Sequence, residues 1–302
     1  MVSRNELVNF LNTYFSVEKY GPDPAMSRFV PLVYENFDWR EYFTEYFFTL
    51  FNGLMISGDD YVNHVFGSVF PTEEVLNQFI NEAEFGDLLF LHHPIDMECG
   101  DPQGKSGRFI LPIKKELLNR IKNKKLSIYS CHHPLDCHYE ISTGIAIAKE
   151  IGLKNITPCI KQAGEFVGLI GEIDDISSDK LIEKLKAIFC IPYLDFGGKV
   201  NNTIKKVVIV PGSGDKIDFF KEAETSGVDA YISGEIHSHI DNEKGKAKME
   251  EALEYMKDSE MSFFGVSHAS SEFLVIKKMV LPFLAKKFEL PAKEIPLSNW
   301  WH

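Results

Sequence analysis

The chain has 302 residues, of which 44% are hydrophobic and 25% charged, and its formal net charge is -12. This length forms one large domain or two of ordinary size. The acidic charge argues against nucleic acid or an anionic membrane as a partner held by bulk charge. No segment approaches the roughly 18 consecutive apolar residues of a membrane span, and the N-terminus lacks the apolar region of a signal peptide. We therefore expect a cytoplasmic protein.

The predicted elements begin with a short helix over 4–13, which places Leu7, Phe10 and Leu11 on one face. Residues 14–50 are unusually aromatic, and we treat residues 1–50 as a separate N-terminal segment. Such a segment forms either a cap packed on the core or on a subunit interface, or a stacking platform or lid. The acidic charge and the lack of interleaved Lys and Arg weigh against stacking on nucleic acid. We expect the packed cap.

Residues 51–153 alternate strands and helices, as is typical of an α/β lobe. Thr72 is the expected N-cap of one helix, and Gly152 is expected to close another. The predicted strands are 65–69, 87–91 and 126–130, and the predicted helices are 72–84, 112–123 and 141–151.

A second α/β lobe with a C-terminal helix is predicted over 154–302. Its Gly-rich loop 211–215 is either an anion-binding loop or a plain turn, and we expect the turn because the loop lacks the ending of a Walker motif. The predicted strands are 156–160, 166–173, 206–210 and 230–233, and the predicted helices are 178–189 and 217–225. The repeated order of elements suggests two similar α/β lobes that face each other across a cleft.

Two adjacent histidines, His92 and His93, follow the predicted strand 87–91 and precede Pro94. Successive side chains of a strand point to opposite faces, so the two imidazoles are suited to two different ions, or to one ion and one substrate. The carboxyl ends of strands are also where open α/β folds bind ligands. A hydrogen-bonded structural role is the alternative for this pair alone.

Further ligand-type residues follow other predicted strands. Asp136 comes after strand 126–130, and a carboxylate can bridge two cations, although an Asp in this position is also a common cap. His268 and Glu272 are spaced i, i+4, which places them on one face of a helix. His237 and His239 form a His-x-His pair that puts both rings on one face of a strand. We expect that pair to face substrate rather than to ligate metal, because it leads into a solvated loop at 241–245.

The cysteines argue against a disulfide framework and against a zinc site built from thiolates. They are five in number, scattered, and without a Cys-x-x-Cys pair. Free buried cysteine is the expected state of Cys131 and Cys137. The five are Cys99, Cys131, Cys137, Cys159 and Cys190.

Taken in order, the motifs resemble the Nif-three-like family, often named GTP cyclohydrolase I type 2 homologs. The resemblance covers most of the chain, although the family pattern His-Thr-Asn-Leu-Asp is replaced here at residues 132–136. We expect this departure to affect substrate specificity and to leave the ligands intact. The matching motifs are Asn52-Gly53-Leu54, His92-His93-Pro94, Lys125 to His132 with Leu135-Asp136, Ser233-Gly234-Glu235, and Gly265 with His268 and Glu272.

The resemblance implies two α/β lobes with a dinuclear metal centre in the cleft, and a toroidal homohexamer. Nitrogen and oxygen ligands without thiolate suit two divalent ions per chain, of Zn, Fe, Mn, Co or Ni. The ligands that the resemblance implies are His92, His93, Asp136, His268 and Glu272.

The predicted function is hydrolysis by a metal-activated water of an unidentified small molecule, nucleotide-like or a phosphoester. Glu235, His132 and His237 are the candidate catalytic residues, as proton shuttles. The alternative is a non-catalytic metal-binding protein with a regulatory, scaffold or metallochaperone role. An α/β protein whose histidines are incidental is the remaining alternative. We expect neither a membrane nor a nucleic acid as partner.

Overall fold

The computed structural model describes residues 1–302. The helices are α1 (Arg4–Tyr14), α2 (Val17–Tyr20), α3 (Met26–Val33), α4 (Glu45–Leu50), α5 (Glu73–Glu82), α6 (Lys115–Asn123), α7 (His133–Asp136), α8 (Thr143–Ile151), α9 (Ser178–Phe189), α10 (Ile217–Thr225), α11 (Glu243–Asp258), α12 (His268–Val275) and α13 (Leu281–Phe288). The strands are β1 (Val2–Ser3), β2 (Gly53–Ile56), β3 (Tyr61–Val62), β4 (Val65–Ser68), β5 (Leu88–Leu91), β6 (Asp96–Glu98), β7 (Phe109–Leu111), β8 (Ser127–Ser130), β9 (Lys154–Gln162), β10 (Glu165–Ile176), β11 (Asp195–Gly198), β12 (Ile204–Ser213), β13 (Ala230–Glu235), β14 (Ser262–Gly265) and β15 (Ala292–Glu294).

The chain folds into two compact α/β units, each of which is discontinuous in sequence. Unit 1 contains residues 1–97, 110–138 and 276–298, and unit 2 contains residues 98–109, 139–275 and 299–302. These boundaries differ from the predicted division at 50 and 153. Helix α8 packs in unit 2, where Gly144 lies directly against Leu169 of β10. The C-terminal strand β15 belongs to unit 1 because it pairs in parallel with β4.

Unit 1 is built on a five-stranded sheet with the order β15-β4-β5-β8-β2. The first four strands are parallel and β2 is antiparallel to β8. Strands β4, β5 and β8 are buried along their whole length. Because both faces of such a strand are covered, its sequence is a continuous apolar run, which is why β5 could be predicted.

Unit 2 is built on a six-stranded sheet with the order β11-β14-β13-β12-β10-β9. Its strands β12, β13 and β14 are parallel neighbours, and the remaining strands are antiparallel to theirs. Phe220, Tyr231 and Phe263 pack together in its core. Unit 1 therefore contains a run of four neighbouring parallel strands and unit 2 a run of three, which confirms the predicted α/β class.

Several predicted helices are confirmed together with their caps. The Thr72 side chain accepts a hydrogen bond from the Val75 amide at the start of α5, and Gly152 closes α8 in the left-handed conformation. Helix α11 was not predicted, and the expected solvated loop at 241–245 contains its first turn, capped by Asn242. Only three residues of α11 are buried, so its sequence lacks an apolar stripe.

The aromatic N-terminal segment packs on the core of unit 1, as predicted. Phe15 is buried and its ring lies 6.2 Å from that of Phe90 in β5. Tyr34, Trp39 and Phe47 are also buried. The stacking platform is therefore wrong for these rings, because their faces are covered by other side chains.

No helix of the chain combines the length and the apolar character that crossing a membrane requires.

Candidate metal centre

In unit 1 the ligand-type residues follow two neighbouring parallel strands. His92 and His93 come directly after β5, while His132 and Asp136 come after β8. Strands β5 and β8 pair in parallel, with Leu91 opposite Ser130. The carboxyl ends of both strands therefore meet at one edge of the sheet, which is the position that open α/β folds use for ligands.

The two strand ends bring imidazole and carboxylate groups together in unit 1. His92 is fully buried, and its Nε2 lies 3.4 Å from Asp136 Oδ1. Its Nδ1 lies 2.9 Å from the main-chain oxygen of Cys131, which assigns the proton to Nδ1 and turns Nε2 toward the carboxylate. The His93 ring lies 4.6 Å from that of His92 and 4.7 Å from that of His132.

His132 is paired with Asp23, a residue that the sequence analysis did not identify. The His132 Nδ1 lies 2.9 Å from Asp23 Oδ2. Burial raises the pKa of Asp23, but the charge and hydrogen bond of His132 outweigh it and hold the pKa well below its usual value. Burial lowers the pKa of His132, and the Asp23 carboxylate more than compensates, so this pKa is raised. Asp23 also accepts a hydrogen bond from the Met26 amide at the start of α3. Its place before a helix suggests such a capping role, and nothing in the sequence indicates the contact with His132.

Unit 2 repeats this placement at another pair of parallel strands. Glu235 is the last residue of β13, and His268 follows β14 as the first residue of α12. The His268 Nε2 lies 3.1 Å from Glu272 Oε1, which confirms the predicted i, i+4 pair. The His268 Nδ1 lies 2.5 Å from Glu235 Oε1. A carboxylate bound to one ring nitrogen fixes the tautomer and orientation of a metal-binding histidine.

The charges around His268 favour a cation at this position. Burial lowers the pKa of His268, but the carboxylates of Glu272 and Glu235 outweigh it and raise the pKa well above its ordinary value. Burial raises the pKa of the neighbouring Cys99 thiol to about 12.

Gly212 in the predicted turn 211–215 lies directly against the His268–Glu272 pair. A Cβ at this position would lie 2.3 Å from Glu272 Oε1 and 3.2 Å from His268 Nε2. Its φ of +64° also favours glycine. The loop thus leaves the space beside the two ligand atoms open, a contribution that the sequence analysis did not foresee.

A second group of ligand-type residues in unit 2 contains His237, His239 and Asp195. The His-x-His pair was expected on a strand, and this is wrong because β13 ends at Glu235. The two rings still converge, with His239 Nε2 2.8 Å and His237 Nε2 3.2 Å from Asp195 Oδ2. Burial raises the pKa of Asp195, but hydrogen bonds from the two imidazoles outweigh it and lower the pKa.

Comparison with known proteins places the chain in a family. The family model described as Duf34/NIF3 (NGG1p interacting factor 3) matches residues 50–298. The chain belongs to the DUF34/NIF3 family. It is 25% identical over 285 residues to a protein of Pyrococcus abyssi named GTP cyclohydrolase 1 type 2 homolog, covering 92% of both chains. A Halobacterium salinarum protein of the same name is 27% identical over 237 residues, covering 76% of this chain and 83% of that one.

Solved structures agree with this DUF34/NIF3 assignment at the level of the fold. TTHA1606 from Thermus thermophilus superposes with a TM-score of 0.65 at 20% identity, covering 99% of each chain. HcgD from Methanocaldococcus jannaschii superposes with a TM-score of 0.63 at 17% identity, covering 98% of each chain.

The donor atoms of this DUF34/NIF3 chain fit divalent metal ions in each unit. The implied ligands supply only imidazole nitrogens and carboxylate oxygens, which suit zinc and the neighbouring divalent transition metals. Unit 1 brings together His92, His93 and Asp136, and unit 2 brings together His268 and Glu272. The clearance that Gly212 leaves beside the unit 2 ligand atoms is a further feature of a binding site.

Proposed function

We propose that this DUF34/NIF3 protein is a hydrolase that depends on two divalent metal ions per chain. The observation that carries the proposal is the repeated arrangement in the two units, each with imidazole and carboxylate groups, buried or mostly buried, at the carboxyl ends of neighbouring parallel strands. The proposed ligands of the two ions are His92, His93, Asp136, His268 and Glu272.

Divalent ions held by such ligands act as Lewis acids and lower the pKa of water toward neutrality, which supports hydrolysis at ordinary pH. The protein's part is to orient the ligands. The main-chain oxygen of Cys131 fixes the tautomer of His92, and Glu235 fixes that of His268. The contact with His268 gives Glu235 a positioning role in addition to the predicted shuttling of protons.

His132 is the strongest of the proposed proton carriers. Its contact with Asp23 stabilises the protonated imidazole beside the rings of His92 and His93. A histidine in this state can donate a proton to a leaving group and recover it from solvent. His237 remains a proposed proton carrier in unit 2, where it contacts Asp195.

The proposed class of substrate is based on the names of the relatives. Several bear the name GTP cyclohydrolase 1 type 2 homolog, which supports a nucleotide-like substrate, hydrolysed at the purine ring or at a phosphoester. The metal is one of Zn, Fe, Mn, Co or Ni, because all five ligand atoms are nitrogen or oxygen. We also propose a homohexamer, on the basis of the family resemblance.

The test is a panel of nucleotides and phosphoesters, assayed with the metal-free protein reloaded with each of the five metals. We expect turnover in the wild type and none in Asp136→Ala, while Asp241→Ala keeps full activity because its exposed carboxylate pairs only with Lys246. Turnover that persists in Asp136→Ala contradicts the proposed centre. Tight metal binding without turnover of any compound contradicts the hydrolase and supports the regulatory, scaffold or metallochaperone role.

A further inference from the structure

We propose that Asp195, His237 and His239 bind one additional divalent ion of the zinc class. The site lies within unit 2 and uses none of the five ligands proposed above. Its ion would be a third one in each chain, and a His237 that ligates this ion would not act as a proton carrier.

The three ligand atoms have the spacing of groups that share one ion. Two ligands bound to zinc at 2.0–2.1 Å in tetrahedral geometry are about 3.3 Å apart. The Asp195 Oδ2 lies 3.2 Å from His237 Nε2 and 2.8 Å from His239 Nε2, so small movements of the side chains suffice to admit the ion. Two histidines and one carboxylate form a known ligand set for zinc and for non-haem iron.

The site is built from restrained main chain. Asp195 opens β11, where it pairs with Gly265 of β14. The main-chain oxygen of His239 accepts a hydrogen bond from the Gly107 amide at 3.0 Å. A Cβ on Gly100 would lie 2.4 Å from that same oxygen, so the neighbouring loop is packed closely on it. This restraint keeps the two imidazoles beside Asp195 although no strand carries them.

Burial separates this cluster from an ordinary surface ion pair. The side chains of His237, Asp195 and His239 are only 9, 12 and 15% exposed. Together with Trp300 and Trp301 they line one pocket of unit 2, and Glu235 and His268 line the same pocket. Ligands in such a partly enclosed position are shielded from competition with bulk water.

Unsatisfied polar atoms provide an independent indication of a bound polar group. The His237 Nδ1, Ser238 Oγ and Trp301 Nε1 are buried, and none has a hydrogen-bond partner within the protein. Buried polar atoms are satisfied in the great majority of cases, and a bound ion with its coordinated water is one explanation of an exception. Three protein ligands leave a coordination position for water or a small anion, which the Trp301 N–H is suited to contact.

The first test measures bound metal. Full-length protein is loaded with Zn²⁺, desalted, and analysed for zinc per chain. We expect Asp195→Asn and His237→Ala each to hold one ion fewer than the wild type. His64→Ala serves as the matched control, because His64 also lies 3.1 Å from a carboxylate, Asp87, in unit 1, and we expect it to leave the zinc content unchanged. Zinc content unchanged in both unit 2 variants overturns the proposal.

The second measurement covers the case of a variant that fails to fold. Crystals of the unaltered protein grown with Zn²⁺ are measured at the zinc absorption edge. An anomalous peak about 2.1 Å from both Nε2 atoms and from the Asp195 carboxylate supports the site. No peak at that position overturns it, whatever is found at His268 and Glu272.

Discussion

The two units place an imidazole beside a carboxylate in the same way, but the charges around the imidazole differ. In unit 1, His92 is oriented by a neutral main-chain oxygen, and the proposed ligands are two histidines and one carboxylate. In unit 2, His268 lies between two carboxylates, Glu235 and Glu272. A carboxylate partner increases the basicity of an imidazole more than a carbonyl does, so unit 2 is the more strongly cation-attracting half.

This difference predicts how metal binding in each unit would depend on pH. Without an ion, a proton on His268 balances the two carboxylates of unit 2, consistent with its raised pKa. An ion bound at His268 would have to displace that proton, so we expect the metal affinity of unit 2 to fall as pH falls. In unit 1 the extra proton is held instead on His132 by Asp23.

The largest expected effects come from the carboxylate ligand of each unit. We expect Asp136→Ala and Glu272→Ala each to weaken binding of an ion by more than about 100-fold, since loss of an orienting partner alone costs about 10–100-fold. Competition titration with a metal chelator measures this, with Asp241→Ala as the exposed control. Wild-type affinity in either variant removes that carboxylate from the ligand set.

Glu235→Gln tests the orienting carboxylate that distinguishes unit 2. The amide still accepts from His268 Nδ1 but carries no charge, so we expect metal affinity to fall about 10–100-fold. The same titration measures the change, and Glu183→Gln on the exposed face of α9 is the matched control. An effect equal to that of the control would mean that the charge of Glu235 is irrelevant to the metal.

Asp23→Asn tests the ion pair that distinguishes unit 1. We expect the free energy of unfolding to fall by about 2 kcal/mol, as for a hydrogen bond to a charged group. The lowered Asp23 pKa contributes stability above about pH 3.8 that is lost as pH falls below it. The raised His132 pKa contributes stability below about pH 6.5 that is lost as pH rises through the folded-state value.

The loss of unfolding free energy in Asp23→Asn should therefore be greatest between about pH 4 and 6.5 and smaller on either side. Urea unfolding at several pH values measures it. Asp174→Asn is the control, because its side chain is 90% exposed and paired only with Lys154. A difference from wild type that does not vary with pH would contradict the ion pair.

The smallest expected effect is that of Gly212→Ala, which narrows the space beside the unit 2 ligands. We expect a stability loss of about 1 kcal/mol from the positive φ, together with weaker metal binding from the contact with Glu272. Gly227→Ala is a close control, because it has the same φ of +64° with nothing within 4 Å of its Cβ. Equal metal affinities in the two variants would show that the clearance at Gly212 is unimportant.

Elements with strong local signals could be predicted from the sequence. Helix α9 was predicted with its observed bounds because Ser177 caps it and Leu181, Leu185 and Phe189 share a buried face. The contact between His268 and Glu272 could also be predicted, because residues spaced i, i+4 lie on one face of any helix. Helix α11 was missed because tertiary contacts, rather than an apolar stripe, hold it in place.

The partners of the site residues were harder to predict, because they are distant in sequence. Asp23 and His132 are 109 positions apart, and Asp195 and His239 are 44 apart. Folding of the sheet brings these pairs together, and no local pattern marks them. The predicted domain boundaries at 50 and 153 likewise assumed continuous segments, whereas β15 returns to β4 from the end of the chain.

The central claim is that the histidines and carboxylates of both units hold divalent metal. An anomalous difference map from crystals grown with one metal and measured at its absorption edge tests this most directly. We expect strong peaks about 2.1 Å from the ligand atoms of His92 and His93 in unit 1 and of His268 and Glu272 in unit 2. A map without density at these side chains, in a crystal that contains the metal, would contradict it.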